Sequence, residues 1–423
     1  MAQKPIREHN AKNMLAKFWV EYVGEGLVLS SKGAQVTPDT DLDQLAKDHP
    51  WLTKEKLVVK PDMIMGKRGK HGLILLDADY DGVKKWLGKK RGKDVTVGDV
   101  TGELTHFLIE PFVNADHEYY LAIKSNREGD SIYFSTKGGV DIEENWDSVT
   151  TIEVPILANI DDVDVESKLP ADFDDNAKYA QMIKGLFKYY ADLGYAFLEI
   201  NPFAVAGDTL YPLDLKCRLD DTAHFEAGKK WGDLVFPAPF GRKLSPEEKY
   251  IHGLDEKSGA SLKLTILNAK GRVWNLVAGG GASVIYTDTV ADLGFAKELA
   301  NYGEYSGNPS TDETYEYAKT VLDLMTREKP QEGRHKYLII GGGIANFTDV
   351  AKTFIGIIKA LKEFKDKLVE NNVLIYVRRG GPNYQAGLKD MEDLKKLGIP
   401  IQEVHGPAYS MTKIVASALA HEN

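Results

Sequence analysis

The apolar run Tyr337-Leu338-Ile339-Ile340 passes directly into Gly341-Gly342-Gly343, and this junction limits the fold more tightly than any other stretch. Four apolar residues are too few for a buried helix and enough for a buried strand. Beyond the glycines, Val350, Phe354, Ile357, Leu361, Phe364 and Leu368 recur at helical spacing. Glycines let the backbone turn sharply and come close to a ligand. Asn346 and Thr348 stand where helix caps are expected, so a helix N-terminus with free N–H groups would face whatever lies ahead of it. Further on, Val373-Leu374-Ile375-Tyr376-Val377 reads as a second buried strand and ends in Arg378-Arg379-Gly380-Gly381. Parallel pairing would bring both strand ends to one edge, where open α/β sheets hold ligands. A helix N-terminus beside an arginine fork suits a small anion. The alternative is an ordinary glycine turn with solvated arginines.

With 423 residues the chain is long enough for two or three domains of ~100–200 residues each. A formal charge of −10 argues against nucleic acid or an anionic membrane as partner. One cysteine, Cys217, forms no internal disulfide and suits a reducing compartment, where it reads as a packed core thiol. The first residues carry no apolar signal segment, and no uncharged apolar stretch reaches about 18 residues, so a cytoplasmic location is expected.

Toward the N-terminus, residues 11–23 read as a short helix, and Leu57-Val58-Val59-Lys60 as a strand before Pro61. Gly66-Lys67-Arg68-Gly69-Lys70-His71-Gly72 follows, then a strand at Leu73-Ile74-Leu75-Leu76. Either a phosphate-covering flap or a solvated basic hairpin tip satisfies that composition. It is not a P-loop, because the G-x-x-x-x-G-K-[ST] string is absent. Asp77-Ala78-Asp79-Tyr80-Asp81-Gly82 imitates the start of a calcium loop, but Gly88 stands where a bidentate glutamate is required, so a turn into a helix is expected. Phe107 to Val113 reads as a strand that Pro111 places at an edge or a hinge. Glu118 precedes two strands, Tyr119–Ile123 and Ser131–Phe134, which read as antiparallel. An acidic, apolar-poor run over 159–176 reads as a solvated connection, followed by a helix near 177–192.

Two further strands, Phe197–Phe203 and Leu210–Leu215, bring Glu199, Asn201 and Asp214 together. These oxygen donors suit Mg²⁺; equally, Glu199 could pair with a lysine while Asp214 caps a turn. The stretch over 228–243 is irregular and marks a domain boundary. Ser245-Pro246-Glu247-Glu248 then opens a capped helix. Val273–Val277 runs into Gly279-Gly280-Gly281, which lacks the G-x-G-x-x-G spacing of a nicotinamide site. Asn301–Gly307 reads as a polar loop before a capped helix from Ser310 to Met325. Alternation of strands and helices from 260 to 420 predicts a parallel sheet with helices on both faces.

In order along the chain, LVVKPD, GKRGK, LIEPFV, LEINPF, DEKSGASLK, VAGGGASVIY, NYGEYSG, GGGIANFTDV and VRRGGPNYQ resemble the ATP- and citrate-binding part of the ATP-citrate lyase family. That family is related to succinyl-CoA synthetase β-subunits, the nearest alternative. The resemblance implies an α/β chain: an ATP-grasp fold of two α+β subdomains over 1–243, then a flavodoxin- or Rossmann-like CoA-ligase domain over 244–423. It implies ATP contacts at Lys60, Arg68, Gly69, Pro111, Val113 and Glu118, and Mg²⁺ at Asn201 and Asp214. Asp255, Ser258 and Ala260 would border a second cation, and Gly307, Asn346, Thr348 and Arg379 would hold citrate. CoA would be a further substrate. The phosphorylated histidine and the citryl-CoA cleavage module are expected on a second subunit, giving a hetero-oligomer, and none of the ten histidines here receives a catalytic role. Two other classes stay open: a nucleotide-binding regulatory chain without turnover, and a self-contained ATP-grasp ligase.

Overall fold

The computed structural model describes residues 3–139, 142, 146–170, 175–331 and 333–420. The chain divides into two compact units, Met1–Lys243 and Leu244–Asn423.

Two larger sheets and a two-stranded one, Asp94–Val97 with Val100–Glu103, are described in the first unit. The larger is antiparallel along its main path, in the order Gln3–Ile6, Leu215–Asp220, Tyr195–Ala206, Tyr119–Ser125, Gly129–Ser135 and Thr150–Pro155. Helices Glu8–Tyr22 and Asn176–Asp192 cover one face, where Leu15, Trp19, Ile183 and Leu186 meet Leu121, Leu198 and Ile200 in a common core. Alternation along Tyr195–Ala206 buries Leu198 and Ile200 and leaves Glu199 and Asn201 on the other face. The smaller sheet has the order Ala34–Val36, Phe107–Pro111, Leu57–Pro61, Leu75–Ala78, with its own core and the helix Tyr80–Lys90. Asp79 caps that helix by accepting from the Gly82 N–H, as the turn reading of the calcium-like string expected.

Several expectations need correction. Phe107–Pro111 is an interior strand bonded on both sides, and Pro111 is tolerated because it is the last residue of the ladder. The segment expected as one strand over 210–215 is split between Thr209–Pro212 and Leu215–Asp220, with Asp214 in the break. Ile160, Val165 and Leu169 in the acidic run are buried against the core, so that connection is anchored at intervals; residues 171–174 within it lie outside the described set.

In the second unit, Val273–Ala278, Lys336–Gly342, Val373–Arg378 and Ile401–His405 form a parallel sheet in that order. Its first three strands are almost wholly buried because helices cover both faces, while the edge strand Ile401–His405 is buried only at Ile401. Trp274, Leu276, Leu338, Ile340 and Val377 pack against helices Thr311–Met325, Val350–Glu363 and Tyr384–Asp393. Val277, Tyr337, Ile339 and Tyr376 pack against Gly280–Val290 and Met411–Leu419 on the opposite side. Asn301–Ser306, expected as a loop, is a strand paired antiparallel with Ser261–Ile266; its alternating burial hides Gly303 and Tyr305. Capping boxes at Ser245 and Ser310 start their helices as expected. The helix after the triple glycine begins at Val350, capped by Asp349 rather than by Asn346 or Thr348, and breaks at Phe364 before Lys365–Glu370.

At Gly341 a side chain is forbidden by packing. A Cβ there would stand 2.3 Å from the ring and hydroxyl of Tyr286, which is fully buried and has nowhere to retreat. Gly341→Ala is therefore expected to destabilise the second unit by about 1–3 kcal/mol, the usual penalty of overpacking. Urea denaturation followed by tryptophan fluorescence measures it, and an unchanged midpoint would contradict this packing.

Candidate functional sites

A cavity of about 720 Å³ opens in the first unit, lined by its two larger sheets. The smaller sheet supplies Val58, Lys60, Leu76, Glu110 and Pro111; the larger supplies Tyr120, Glu199, Asn201 and Lys216, and Asp214 joins from the strand break. Gly69, Val113 and Glu118 also line it, so every residue expected around ATP in this unit borders one space.

Behind the cavity is a buried charge network. Lys60 Nζ meets Glu8 at 2.7 Å, Glu110 at 2.9 Å and the Leu213 carbonyl at 2.5 Å. An ammonium has three N–H donors, so Lys60 has none to spare. Arg68 pairs with Glu8 at 2.8 Å and Asp214 at 2.7 Å, and donates to the Pro61 carbonyl. Lys12 pairs with Glu8 at 2.8 Å and Glu110 at 2.6 Å. Three cations thus face three carboxylates; Glu8, Lys12, Lys60 and Arg68 are buried and Glu110 and Asp214 partly so, and an unmatched buried charge would be costly. Burial alone would raise the Glu8 carboxyl, but Lys12, Lys60 and Arg68 outweigh it and hold it well below the carboxylate range. Burial likewise works against the charge on Lys60, and Glu110 and Glu8 overcome it to raise its pKa. Lys67 and Lys70, by contrast, are exposed at the cavity rim, with Lys67 in left-handed backbone at φ 57°.

Asn201 and Asp214 are adjacent: the Asn201 N–H donates to the Asp214 carbonyl at 2.9 Å. The Asn201 side-chain oxygen accepts from the Gly139 N–H at 2.7 Å. Glu199 pairs with Lys216 at 3.2 Å. A carboxylate and an amide oxygen of the type Mg²⁺ takes thus border the cavity, and no cluster of three or more acidic, histidine or cysteine side chains that could hold a metal occurs among the described residues.

In the second unit, the C-terminal edge of the parallel sheet gathers the glycine turn and the arginines. The expected fork separates into two roles. Arg378 is spent on carbonyls, donating to Gly342 at 2.8 Å, Tyr409 at 2.7 Å and Pro407 at 2.9 Å. Arg379, 4% exposed, donates to the Gly343 carbonyl at 2.5 Å, and its buried Nε has no partner. No carboxylate among the described residues pairs with it. Burial lowers its pKa, while Tyr305 and Tyr286 partly oppose this. The Ala345 N–H bonds the Gly380 carbonyl, tying the loop that carries Asn346 and Thr348 to the arginine segment. Asn346 is exposed and Thr348 half-buried.

Gly307 lies beside Ala260, and Tyr305, two residues earlier, is within electrostatic range of the Arg379 guanidinium. The expected second cation site is engaged internally: Asp255 accepts from the Leu262 N–H at 2.8 Å and pairs with Lys263, and Ser258 accepts from the Ala260 N–H at 2.9 Å. Sequence reasoning missed Glu8, Lys12 and Glu110. The Glu8–Lys12 spacing of one helical turn was the available signal.

A family model described as the ATP-citrate synthase ATP-grasp domain matches residues 2–231, and one described as ATP citrate lyase citrate-binding matches residues 242–421. ATP-citrate synthase alpha chain protein 1 of Arabidopsis thaliana is 49% identical over 425 residues, spanning 100% of this chain and 99% of that protein. ATP-citrate synthase of Homo sapiens is 50% identical over 426 residues, which make up 38% of its length. The solved structure of ATP citrate lyase from Methanothrix soehngenii in complex with citrate and coenzyme A matches with a TM-score of 0.90 and 53% identity, covering 99% of this chain and 100% of that one. These matches define the class: an ATP-grasp fold followed by a flavodoxin-like parallel-sheet unit. The chain belongs to the ATP-citrate synthase family, whose members are also called ATP-citrate lyases. No helix among the described residues is long and apolar enough to cross a membrane.

The Glu8 network sets an acid limit on stability. A carboxyl held below its ordinary 4.5 stabilises the fold above that pH and ceases to as pH falls through its folded value. Urea midpoints of the wild-type chain should therefore drop as pH falls below 4.5, and those of Glu8→Gln, which has no such proton to take up, should drop less steeply. Parallel slopes would refute the depressed carboxyl.

Proposed function

We propose that the chain is the nucleotide- and citrate-binding subunit of an ATP-citrate lyase. The enzyme would convert ATP, citrate and CoA to ADP, phosphate, acetyl-CoA and oxaloacetate. The observation that carries the proposal is Arg379, a buried guanidinium at the ligand-binding edge of a parallel sheet with no carboxylate partner. Such a charge is costly to maintain unless an anion completes it. Citrate would meet Arg379 together with Asn346, Thr348 and Gly307; three carboxylates need several donors besides one cation.

In the first unit, adenine and ribose would lie along Pro111, Val113 and Glu118. The phosphates would point toward Gly69, with the rim cations Lys67 and Lys70 free to move onto them and Lys60 and Arg68 supplying a fixed field behind. Asn201 and Asp214 would hold Mg²⁺, which when bound offsets phosphate charge. These residues bind and orient ATP and exclude water from its γ-phosphoryl group. The acceptor would be a histidine of a second subunit, from which the phosphoryl group passes to citrate before CoA displaces it; the same subunit would cleave citryl-CoA. The human relative, more than twice as long as this chain, supports such a division. A cytoplasmic setting accords with the single buried thiol, Cys217.

Thermal-shift titrations of the full chain with citrate, succinate and ATP·Mg²⁺ test the proposal. A ligand at 100 times its dissociation constant adds about 2.7 kcal/mol to native stability, enough to read as a higher Tm. Citrate should stabilise, succinate should not, and Arg379→Ala should abolish the citrate shift while leaving that of ATP·Mg²⁺. Equal shifts with succinate would instead assign the chain to succinyl-CoA synthetase chemistry.

A further inference from the structure

We infer that Glu8 is a positioning residue for the phosphate end of the nucleotide cavity, one buried carboxylate that fixes where Lys60 and Arg68 present their charge. This rests on the nucleotide reading of that cavity and adds a role for a helix the cavity does not include.

Glu8 begins the helix Glu8–Tyr22 and is 5% exposed. Its Oε1 receives Lys60 at 2.7 Å and Lys12 at 2.8 Å, and its Oε2 faces Arg68 at 2.8 Å. The Leu215 N–H, next to Asp214, reaches Oε1 at 3.4 Å. Glu110 serves only Lys12 and Lys60, and Asp214 serves only Arg68. Among the described residues, Glu8 is therefore the one carboxylate shared by all three cations. It links the strand Leu57–Pro61, which carries Lys60, the glycine loop that carries Arg68 and the segment beside Asp214.

The chemistry follows from that sharing. Phosphate recognition depends on where positive charge is held, and a displacement of about 1 Å at such a site can cost on the order of 100-fold in rate. Without Glu8, Arg68 would be left to Asp214 alone, and Lys12 would compete with Lys60 for Glu110. Lys12 sits one helical turn from Glu8 and keeps the cluster neutral overall.

The test separates position from charge balance and from stability. Binding of ATP·Mg²⁺ and of adenosine to the full chain is measured by calorimetry for wild type, Glu8→Asp, Glu8→Gln and the double variant Glu8→Gln/Lys12→Met. Glu8→Asp keeps the charge but withdraws it by one methylene. The double variant removes one cation with the carboxylate, so it preserves neutrality and keeps the test valid if Glu8→Gln alone fails to fold. We expect Glu8→Asp and the double variant to bind ATP·Mg²⁺ at least about tenfold more weakly, with adenosine affinity unchanged. Wild-type affinity for ATP·Mg²⁺ in both would overturn the inference and leave Glu8 a structural counter-ion. Equal loss of adenosine and ATP would also overturn it, because the whole cavity would then have moved. Failure of the wild-type chain to bind ATP·Mg²⁺ would sink the nucleotide reading itself.

Discussion

A charge removed from water must find a countercharge or a set of dipoles, and the two units meet that demand in opposite ways. In the first, Lys12, Lys60 and Arg68 are matched by Glu8, Glu110 and Asp214. Such a cluster adds little net stability over an apolar core, yet removing one member typically costs about 3–5 kcal/mol. It therefore constrains where its members stand more than it strengthens the fold. In the second unit, Arg379 is buried with one carbonyl and two nearby phenols for company. The first arrangement is complete without ligand and the second is not, which makes the second the more informative about what binds.

Glycines determine how closely the backbone approaches each site. At Gly342, φ is 154° and a Cβ would stand 2.7 Å from the Arg379 guanidinium. At Gly341 the obstacle is the Tyr286 ring, whose hydroxyl accepts the Gly342 N–H at 3.3 Å. The triple glycine thus serves two packing demands before any ligand arrives. Gly343 has open space around it, so the same string contains one residue that steric contact does not require to be glycine.

Elements with a clean period were legible from sequence. Strands Lys336–Gly342 and Val373–Arg378, helix Asn176–Asp192 and the capping boxes at Ser245 and Ser310 follow from burial pattern and cap chemistry. Asn301–Ser306 was missed because Gly303 and the polar residues around it hide a period of two that tertiary packing supplies. Asp349 was overlooked as the cap because Asn346 and Thr348 are equally good cap residues and nothing local ranks them. The motif strings located both cavity walls. Glu8 escaped because its three partners arrive from 4, 52 and 60 positions away in the chain, a convergence no local pattern encodes.

Arg378 and Arg379 show why residue type alone could not decide the acid site. They are neighbours, equally buried at 4%, Arg378 as the last residue of its strand and Arg379 as the first beyond it. The two guanidinium groups nevertheless meet different surroundings. Arg378 reaches the loop after the last strand and distributes its donors over three carbonyls, becoming a brace for Gly342, Pro407 and Tyr409. Arg379 turns to the glycine turn, finds one carbonyl and keeps a buried donor without a partner. A guanidinium whose three nitrogens each already donate to a carbonyl has less to offer a carboxylate, whereas one short of partners gains a charge-assisted bond for each oxygen that arrives. Loss of Arg378 would open the strand ends themselves, and loss of Arg379 would leave them in place without the charge that an acid needs.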